Sequence, residues 1–494
     1  MEKSIFGALE TLSESDMYPF HMPGHKRNMG KHPLSRAYEM DITEIEGFDN
    51  LHEPGGLILE SMNRAKRLYG TKETFFLVNG STAGILTAIH SCVARGGKIL
   101  ISRNSHKSVY NAIALLGLKA AYLYPEEMGD WKLAAGLSTA EVRRVLAANP
   151  DTQAILVTSP TYDGFVSPIR EIADLAHEAG IPLIVDEAHG AHFPFSDKLP
   201  ESALTGGADL VIQSIHKTMP SFTQTALLHL QGNLVQLKVV KRYLSIFQSS
   251  SPSYLLMGGI DHCVRLTEER GEGFWDDILA AADDFYHRMR KLKHMQVWCG
   301  NRGNKDLLFR YGISSSCEIK DPLKLIIRPV AAGKAGKPYT GVELYQELLK
   351  TYYLQMEMMT PTYVLGILTC MDRAEGLRRR EKALFEIDSQ LAPLEAAEKR
   401  EERRQDSRYP VIKETIEAAL SKEAELILPQ LAEGRESADY INLYPPGIPL
   451  IVPGEVISRD LVDRLLVYSK QDLPLQGLAE GRIAVVQDKA KGKS

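Results

Sequence analysis

Between residues 58 and 247 the chain alternates amphipathic segments with short segments that are apolar throughout. The segments ILESMNRAKRLYG and TAGILTAIHSCVA repeat apolar residues at helical spacing, and the second ends at the glycine pair 96–97, a common helix C-terminal signal. The short apolar runs are TFFLV, KILI, KAAYLY, QAILVT, PLIVDE and ADLVIQS. Because strands that are apolar on both faces must be covered on both faces, the pattern predicts an α/β domain with a mainly parallel sheet.

The pattern changes after Gly258. A charged helical stretch over residues 266–293 precedes a mixture of strands and one helix, read from KLIIRPV, TGVELYQELLK, LQMEMM and YVLGILT. This mixture predicts a smaller α+β domain. Residues 376–407 are strongly charged and predict a solvated connecting helix, and a proline-rich stretch, YPPGIPLIVPGE, follows it.

A chain of 494 residues is too long for one core, so several domains are expected. The pattern divides the chain into an N-terminal arm (1–57), a large α/β domain (58–265), a smaller α+β domain (266–375) and a C-terminal domain (376–494).

The composition narrows the class of protein. With 44% hydrophobic residues, 24% charged residues and a net charge of −5, the chain is globular and shows no sign of a nucleic-acid surface. Its five cysteines are scattered without a CxxC pair, which argues against a disulfide framework or a zinc cluster. No apolar stretch is long enough for a signal peptide or a membrane span, so a cytoplasmic protein without a membrane partner is predicted.

Three motifs that suggest other functions lack their context. Residues 186–189 spell DEAH, as in helicases, but no GxxxxGK[ST] phosphate loop precedes them. No GxGxxG motif follows a strand, so a dinucleotide-binding fold is not predicted either. The histidine pairs 21/25 and 189/192 lie in neither a cysteine-rich nor an HExxH context, so no metal site is predicted.

Two segments at strand ends could bind a phosphorylated ring. In LVNGSTAGILTAI a strand leads through Asn79, Gly80, Ser81 and Thr82 into a helix, whose free N–H groups and neighbouring hydroxyls suit an anion. An ordinary helix N-cap is the alternative. In SRNSHKS, His106 follows a strand where it could stack on a planar ring, although a lone histidine is more often structural.

Two further segments supply an acid and an amine. Asp186 ends the run PLIVD, so its carboxylate should be buried and should seek a cation, either a protonated pyridine nitrogen or an internal arginine or lysine. His189 follows closely enough to contact the ring. Lys217 follows the strand ADLVIQS, where it could form an imine with an aldehyde, and Ser214 and His216 share its turn. Together, the four segments indicate a pyridoxal-phosphate site.

Here the chain resembles the Orn/Lys/Arg decarboxylases, which have the fold type I architecture of pyridoxal-phosphate enzymes. The resemblance rests on ordered segments from FHMPGHKRN and DITEIEGFDNLHEPGG through RNSHKS, VTSPTYDG, VDEAHGAHF, SIHKTMPSFTQ and QSSSPSY to YPPGIPLIVPGE. Because the FHMPGHK segment begins at Phe20, it resembles the short form, without the N-terminal wing domain that builds large assemblies.

The resemblance implies a role for each site residue. Lys217 is the Schiff-base lysine, Asp186 pairs with the pyridine nitrogen, and His106 stacks on the ring. The residues implied around the phosphate are Ser81, Thr82, Ser214 and His216. The resemblance also implies a homodimer with shared active sites.

In such a dimer, Ser250 and Ser251 contact the phosphate of the neighbouring subunit. The resemblance further implies that Glu455 meets the distal cationic group of the substrate. Its position in a Pro/Gly-rich stretch leaves a purely structural role open as well.

The implied reaction is decarboxylation of a basic L-amino acid to CO2 and an amine that leads to polyamines, with arginine or lysine favoured over ornithine by analogy with short relatives. An aminotransferase or aldolase on the same fold is the nearest alternative, and Arg310 and Arg328 are candidates for the carboxylate contact that an aminotransferase needs. A non-catalytic pyridoxal-phosphate-binding scaffold is the alternative from another class.

Overall fold

The short apolar runs pair edge to edge into one sheet in the computed structural model, which describes residues 4–28, 30, 32–128, 131, 133–298, 319–333, 336–393 and 410–487. The strands are, in chain order, β1 Glu73–Leu77, β2 Lys98–Ser102, β3 Lys119–Leu123, β4 Glu127–Met128, β5 Leu133–Ala134, β6 Thr152–Thr158, β7 Leu183–Asp186, β8 Leu210–Gln213, β9 Ala226–Leu230, β10 Met295–Val297, β11 Lys324–Pro329, β12 Ala331–Ala332, β13 Met358–Met359, β14 Val364–Ile367, β15 Ala392–Pro393, β16 Ala424–Ile427, β17 Ile441–Leu443, β18 Ile448–Ile451, β19 Leu475–Gln476 and β20 Ile483–Val486.

The helices lie between these strands and at the start of the chain. They are α1 Ile5–Ser13, α2 Ser35–Met40, α3 Leu57–Tyr69, α4 Gly80–Cys92, α5 Lys107–Leu116, α6 Thr139–Ala147, α7 Ile169–Glu178, α8 Ile215–Thr218, α9 Leu237–Phe247, α10 Tyr254–Arg270, α11 Gly273–Met289, α12 Gly341–Tyr352, α13 Ala374–Gln390, α14 Ile416–Leu420 and α15 Arg459–Lys470. Among the described residues, none of these helices is long and apolar enough to cross a bilayer.

The main sheet has seven strands in the order β1-β9-β8-β7-β6-β2-β3. All six predicted strands are present, and the pairs among β3, β2, β6, β7 and β8 are parallel, so the predicted α/β fold with a mainly parallel sheet is confirmed. Strand β9, which the pattern did not predict, runs antiparallel to both of its neighbours. One buried cluster lies on each face of the sheet, as two-sided apolar strands require.

The second sheet contains the predicted strands of the smaller domain. Strands β10, β11, β14 and β13 pair antiparallel in that order, and α12 packs on them. The charged stretch 266–293 is not one helix but the end of α10 followed by α11. The predicted domain boundaries stay a prediction.

The predicted solvated connector is wrong for the part of it that the structure describes. Helix α13 ends at Gln390, and it buries Leu377, Ala383, Leu384 and Ile387 while packing against α11. Among its many charged residues, this helix has an apolar stripe at helical spacing, and such a stripe is stable only when it packs against another part of the protein. Residues 394–407 of the predicted helix lie outside the described residues.

The C-terminal module, residues 410–487, contacts the large domain where the site lies. Helix α14 packs on α5, and the segment around β17 and β18 lies beside the residues that follow β2. This module has its own small buried cluster, built on α15, β17 and β20.

Candidate active site

Lys217 lies at the carboxyl edge of the sheet because β8 runs directly into the single-turn helix α8. Its Nζ lies 3.2 Å from Nε2 of His189. Burial lowers the pKa of Lys217 below its ordinary value, and the negative charge of Asp186 partly opposes this shift. The amine is therefore easier to deprotonate than a surface lysine, as an imine-forming lysine requires.

Asp186 ends β7, the strand beside β8, and is only 4% exposed. Its Oδ1 accepts the backbone N–H of Ala188 at 3.2 Å. Burial raises the pKa of this carboxyl group above its ordinary value, and the charge of Lys217 partly opposes this rise. The predicted buried acid and the predicted amine therefore lie at one edge of the sheet, close enough to influence each other's charge.

The predicted phosphate cradle brings together two turns that are far apart in the sequence. Gly80 begins α4 with a φ of 72°, a left-handed conformation that favours glycine. Ser81 Oγ lies 2.6 Å from Oγ of Ser214, which precedes α8. The two hydroxyls lie beside the first turn of α4, and Thr82 is exposed on that turn. These groups can bind an anion together.

Two histidines lie beside the lysine. Nδ1 of His106 caps α5 by accepting the N–H of Ser108 at 3.2 Å. Burial, followed by the charge of Lys217, lowers the pKa of His106 to about 4, so its ring is neutral at pH 7. Burial also lowers the pKa of His216, whose Nδ1 lies 2.7 Å from the carbonyl oxygen of Thr225. A flat, neutral imidazole such as that of His106 suits stacking on a ring.

Three residues at the site were missed by sequence reasoning. Lys324 Nζ lies 2.8 Å from Nδ1 of His189, and the ring of Tyr162 stands edge-on to His189 with centroids 4.6 Å apart. The Tyr162 hydroxyl donates to the exposed carboxylate of Glu357. A signal was present for Lys324, because a charged residue heads the apolar run KLII.

Ser250 and Ser251 are exposed and follow α9. The segment lies near the start of α4, since the N–H of Ser249 donates to Oδ1 of Asn79 at 3.3 Å. Their contact with the phosphate of a neighbouring subunit stays a prediction.

Glu455 is fully buried and contacts Arg103 rather than open solvent. Its Oε2 accepts from Nη2 of Arg103 and from the N–H of Val452, each at 3.0 Å, and Nη1 of Arg103 donates to the carbonyl of Pro449 at 2.7 Å. This pair fastens the C-terminal module to the end of β2. The substrate contact predicted for Glu455 stays a prediction.

Of the two arginines that could bind the substrate carboxylate in an aminotransferase, Arg328 lies among the described residues. Arg328 lies on β11 with its guanidinium 5.5 Å from the ring centroid of Trp131. Arg310 lies outside the described residues.

Replacing Glu455 with alanine is expected to lower the free energy of unfolding by about 3–5 kcal/mol, because it leaves a buried guanidinium without its partner. Urea unfolding of the purified variant measures this change. The matched control is Glu433→Ala, which removes a half-exposed ion pair with Arg459 in the same module and should change stability little. Equal, small effects of both variants would contradict a structural role for the Arg103–Glu455 pair.

Known proteins resemble this chain over nearly its whole length. The profile of "Orn/Lys/Arg decarboxylase, major domain" matches residues 4–363, and that of the C-terminal domain matches residues 402–493. Arginine decarboxylase of Bacillus subtilis is 30% identical over 98% of this chain and 97% of that protein. Arginine decarboxylase of Bacillus anthracis is 31% identical over 96% of this chain and 95% of that protein.

Solved structures show the same fold. The lysine decarboxylase of Francisella novicida superposes with a TM-score of 0.82 at 19% identity, covering 98% of this chain and 81% of that chain. The constitutive lysine decarboxylase of Escherichia coli superposes with a TM-score of 0.79 at 17% identity, covering 98% and 82%. The profiles and the full-length relatives together show that the chain belongs to the Orn/Lys/Arg decarboxylase family and is an amino acid decarboxylase.

Proposed function

We propose that this enzyme releases CO2 from a basic L-amino acid, arginine or lysine in preference to ornithine, with pyridoxal phosphate held on Lys217. The observation that carries the proposal is the placement of a buried amine, a buried acid and a hydroxyl pair at one sheet edge. Lys217, Asp186 and the pair Ser81–Ser214 come from three different strand ends and lie together there.

The residues present fit this cofactor, which family membership implies. Burial of the Asp186 carboxylate costs free energy, because the charge loses its contact with water. A cationic partner such as a protonated pyridine nitrogen would offset this cost. The phosphate would lie against Ser81, Ser214 and the first turn of α4, with His216 beside it. The neutral ring of His106 would cover the face of the cofactor.

When bound, pyridoxal phosphate supplies an electron sink for the bond between Cα and the carboxylate. The protein supplies charge and protons. The carboxylate of Asp186 would keep a proton on the ring nitrogen, because an anion beside that nitrogen favours its protonated form. Nζ of Lys217 and Nε2 of His189 lie 3.2 Å apart, and one of these groups would supply the proton that replaces CO2 on Cα.

The preference for a basic substrate is supported by full-length similarity to arginine decarboxylases of two Bacillus species. It is also supported by Glu357, an exposed carboxylate whose charge partly opposes the lowering of the pKa of Lys217 and Lys324 by burial. A distal guanidinium or ammonium group would find an acid there, in addition to the predicted contact with Glu455. The amine product would be a precursor for polyamines.

We also propose that the enzyme works as a homodimer whose subunits share active sites. The N-terminal arm supports this, since Met17, Tyr18, Phe20 and Met22 are all more than half exposed. Four large apolar side chains within six residues call for a covering partner.

A CO2-release assay tests the reaction and the substrate together. The purified protein is supplied with pyridoxal phosphate and given L-arginine, L-lysine or L-ornithine in parallel, and release from arginine or lysine is expected. A control reaction with added 2-oxoacid measures amino transfer. Absence of CO2 from all three, with the cofactor bound on Lys217, would move the function to an aminotransferase or aldolase.

A further inference from the structure

Two lysines contact opposite nitrogens of one imidazole. His189 is 7% exposed, and its Nε2 lies 3.2 Å from Nζ of Lys217. Its Nδ1 lies 2.8 Å from Nζ of Lys324, which comes from the second sheet and is fully buried. A buried lysine is costly unless it has a function or a partner, and the reaction described above does not use Lys324.

The loop after β6 is shaped around this lysine. Gly164 has a φ of 96°, and a Cβ added there would lie 2.6 Å from Cγ and 3.0 Å from Cβ of Lys324. The ammonium group also lies 5.5 Å from the ring centroid of Tyr162, within the range of a cation–π contact. The position of Lys324 is therefore fixed along its whole length.

The charges around Lys324 keep it cationic at neutral pH. Burial lowers the pKa of Lys324 to about 8, and the charge of Lys217 acts in the same direction. The acids that oppose this shift are Asp321, Glu357 and Asp163. Lys320 lies four residues away and binds backbone carbonyls.

An ammonium group can only donate hydrogen bonds, so Nδ1 of His189 must accept from Lys324. The groups that lower the pKa of His189 are, after burial itself, Lys217, Lys324, His216 and His106, so the ring is neutral. A neutral imidazole that accepts at Nδ1 carries its proton on Nε2. That proton faces Nζ of Lys217, which accepts it in a hydrogen bond when the Lys217 amine is uncharged.

We propose that Lys324 is a positioning residue for the reaction: its ammonium group binds Nδ1 of His189 and thereby directs the Nε2 proton toward Nζ of Lys217. This inference rests on the proposed function only in taking Lys217 as the lysine that holds the cofactor. Lys324 acts through His189 and needs no contact with the substrate.

The tautomer of His189 tests the proposal without any change to Lys324. The protein is labelled with ¹⁵N in its histidines, and the His189 signals are assigned by comparison with a His189→Gln variant. A neutral ring with its proton on Nε2 is expected at pH 7. A proton on Nδ1 would overturn the proposal, because the Lys324 ammonium group could not then donate to that atom.

Lys324→Met gives the second test, read from the bound cofactor as well as from turnover. A cation beside Lys217 disfavours its protonated form, so removal of the cation raises the pKa. We expect the pH midpoint of the absorbance of the bound cofactor to move upward by about one pH unit or more. We expect kcat to fall by about 100-fold with little change in KM, as for a misplaced catalytic group.

The matched control is Lys320→Met, which removes a buried lysine of the same segment that contacts main-chain carbonyls instead of His189. Its absorbance midpoint should stay at the wild-type value, and Lys324→Arg, which keeps the charge, should have a midpoint close to that of the wild type. A folded Lys324→Met variant with the wild-type midpoint and kcat would refute the proposal. If the midpoint shifts in Lys324→Met but the wild-type protein releases no CO2, the role of Lys324 is supported and the proposed decarboxylation is refuted.

Discussion

Lys217→Ala is expected to abolish CO2 release, with a loss of at least about 10⁴-fold, because in the proposed mechanism the residue both holds the cofactor and supplies a proton. The variant should still fold, since the side chain lies at the site and makes its hydrogen bond to His189 rather than to the core. Borohydride reduction followed by peptide mass spectrometry should find the cofactor attached to the Lys217 peptide in the wild type and to no peptide in the variant.

The control for this experiment is Lys72→Ala. Lys72 is an exposed lysine that precedes β1, at the opposite edge of the sheet from Lys217, and its Nζ donates to Asn233. Turnover should be unchanged. Near-normal activity of Lys217→Ala would remove the whole site assignment, and a cofactor adduct on Lys324 instead would identify the second buried lysine as the one that reacts.

Asp186→Asn is expected to keep the fold and part of the cofactor while lowering kcat by about 100-fold or more, because the ring nitrogen would lose the anion that is proposed to keep it protonated. Without cofactor, the variant should be at least as stable as the wild type, since a buried carboxylate no longer has to be desolvated. CO2 release and thermal melts with and without pyridoxal phosphate measure these effects separately.

Glu187→Gln is the matched comparison, since it changes the neighbouring buried acid. The carboxylate of Glu187 accepts from Ser202, Ala203 and Gln213 and therefore lies in a structural network. Its replacement should change stability more than kcat. If Asp186→Asn kept the wild-type kcat, the acid could not be the partner of the ring nitrogen.

The main sheet and half of the site were predictable because each depends on sequence patterns within a single short segment. Strands apolar on both faces identify a parallel sheet, and the carboxyl ends of parallel strands share an edge. Asp186 and Lys217 could therefore be placed together from the sequence. Strand β9 was missed because its apolar run lies close behind the lysine turn, where a continuing loop was equally compatible with the pattern.

The rest of the site depends on contacts between distant segments. Lys324 is 135 residues from His189 along the chain, and no periodicity within either segment indicates that they meet. The same holds for Glu455 and Arg103, 352 residues apart. Charge also concealed burial in α13, where Leu377 and Leu384 lie among arginines and glutamates.

Because the C-terminal module contacts the end of β2, the proposed cofactor pocket depends on two parts of the chain. Arg103 is held by Glu455, and four residues further on, the N–H of Lys107 donates to the carbonyl of Gly447 at 3.2 Å. His106 lies between these two contacts, so the C-terminal module fixes the position of the loop that carries the His106 ring. Chimeric enzymes assembled from two relatives would therefore have to exchange the β2–α5 turn and the C-terminal module as a unit.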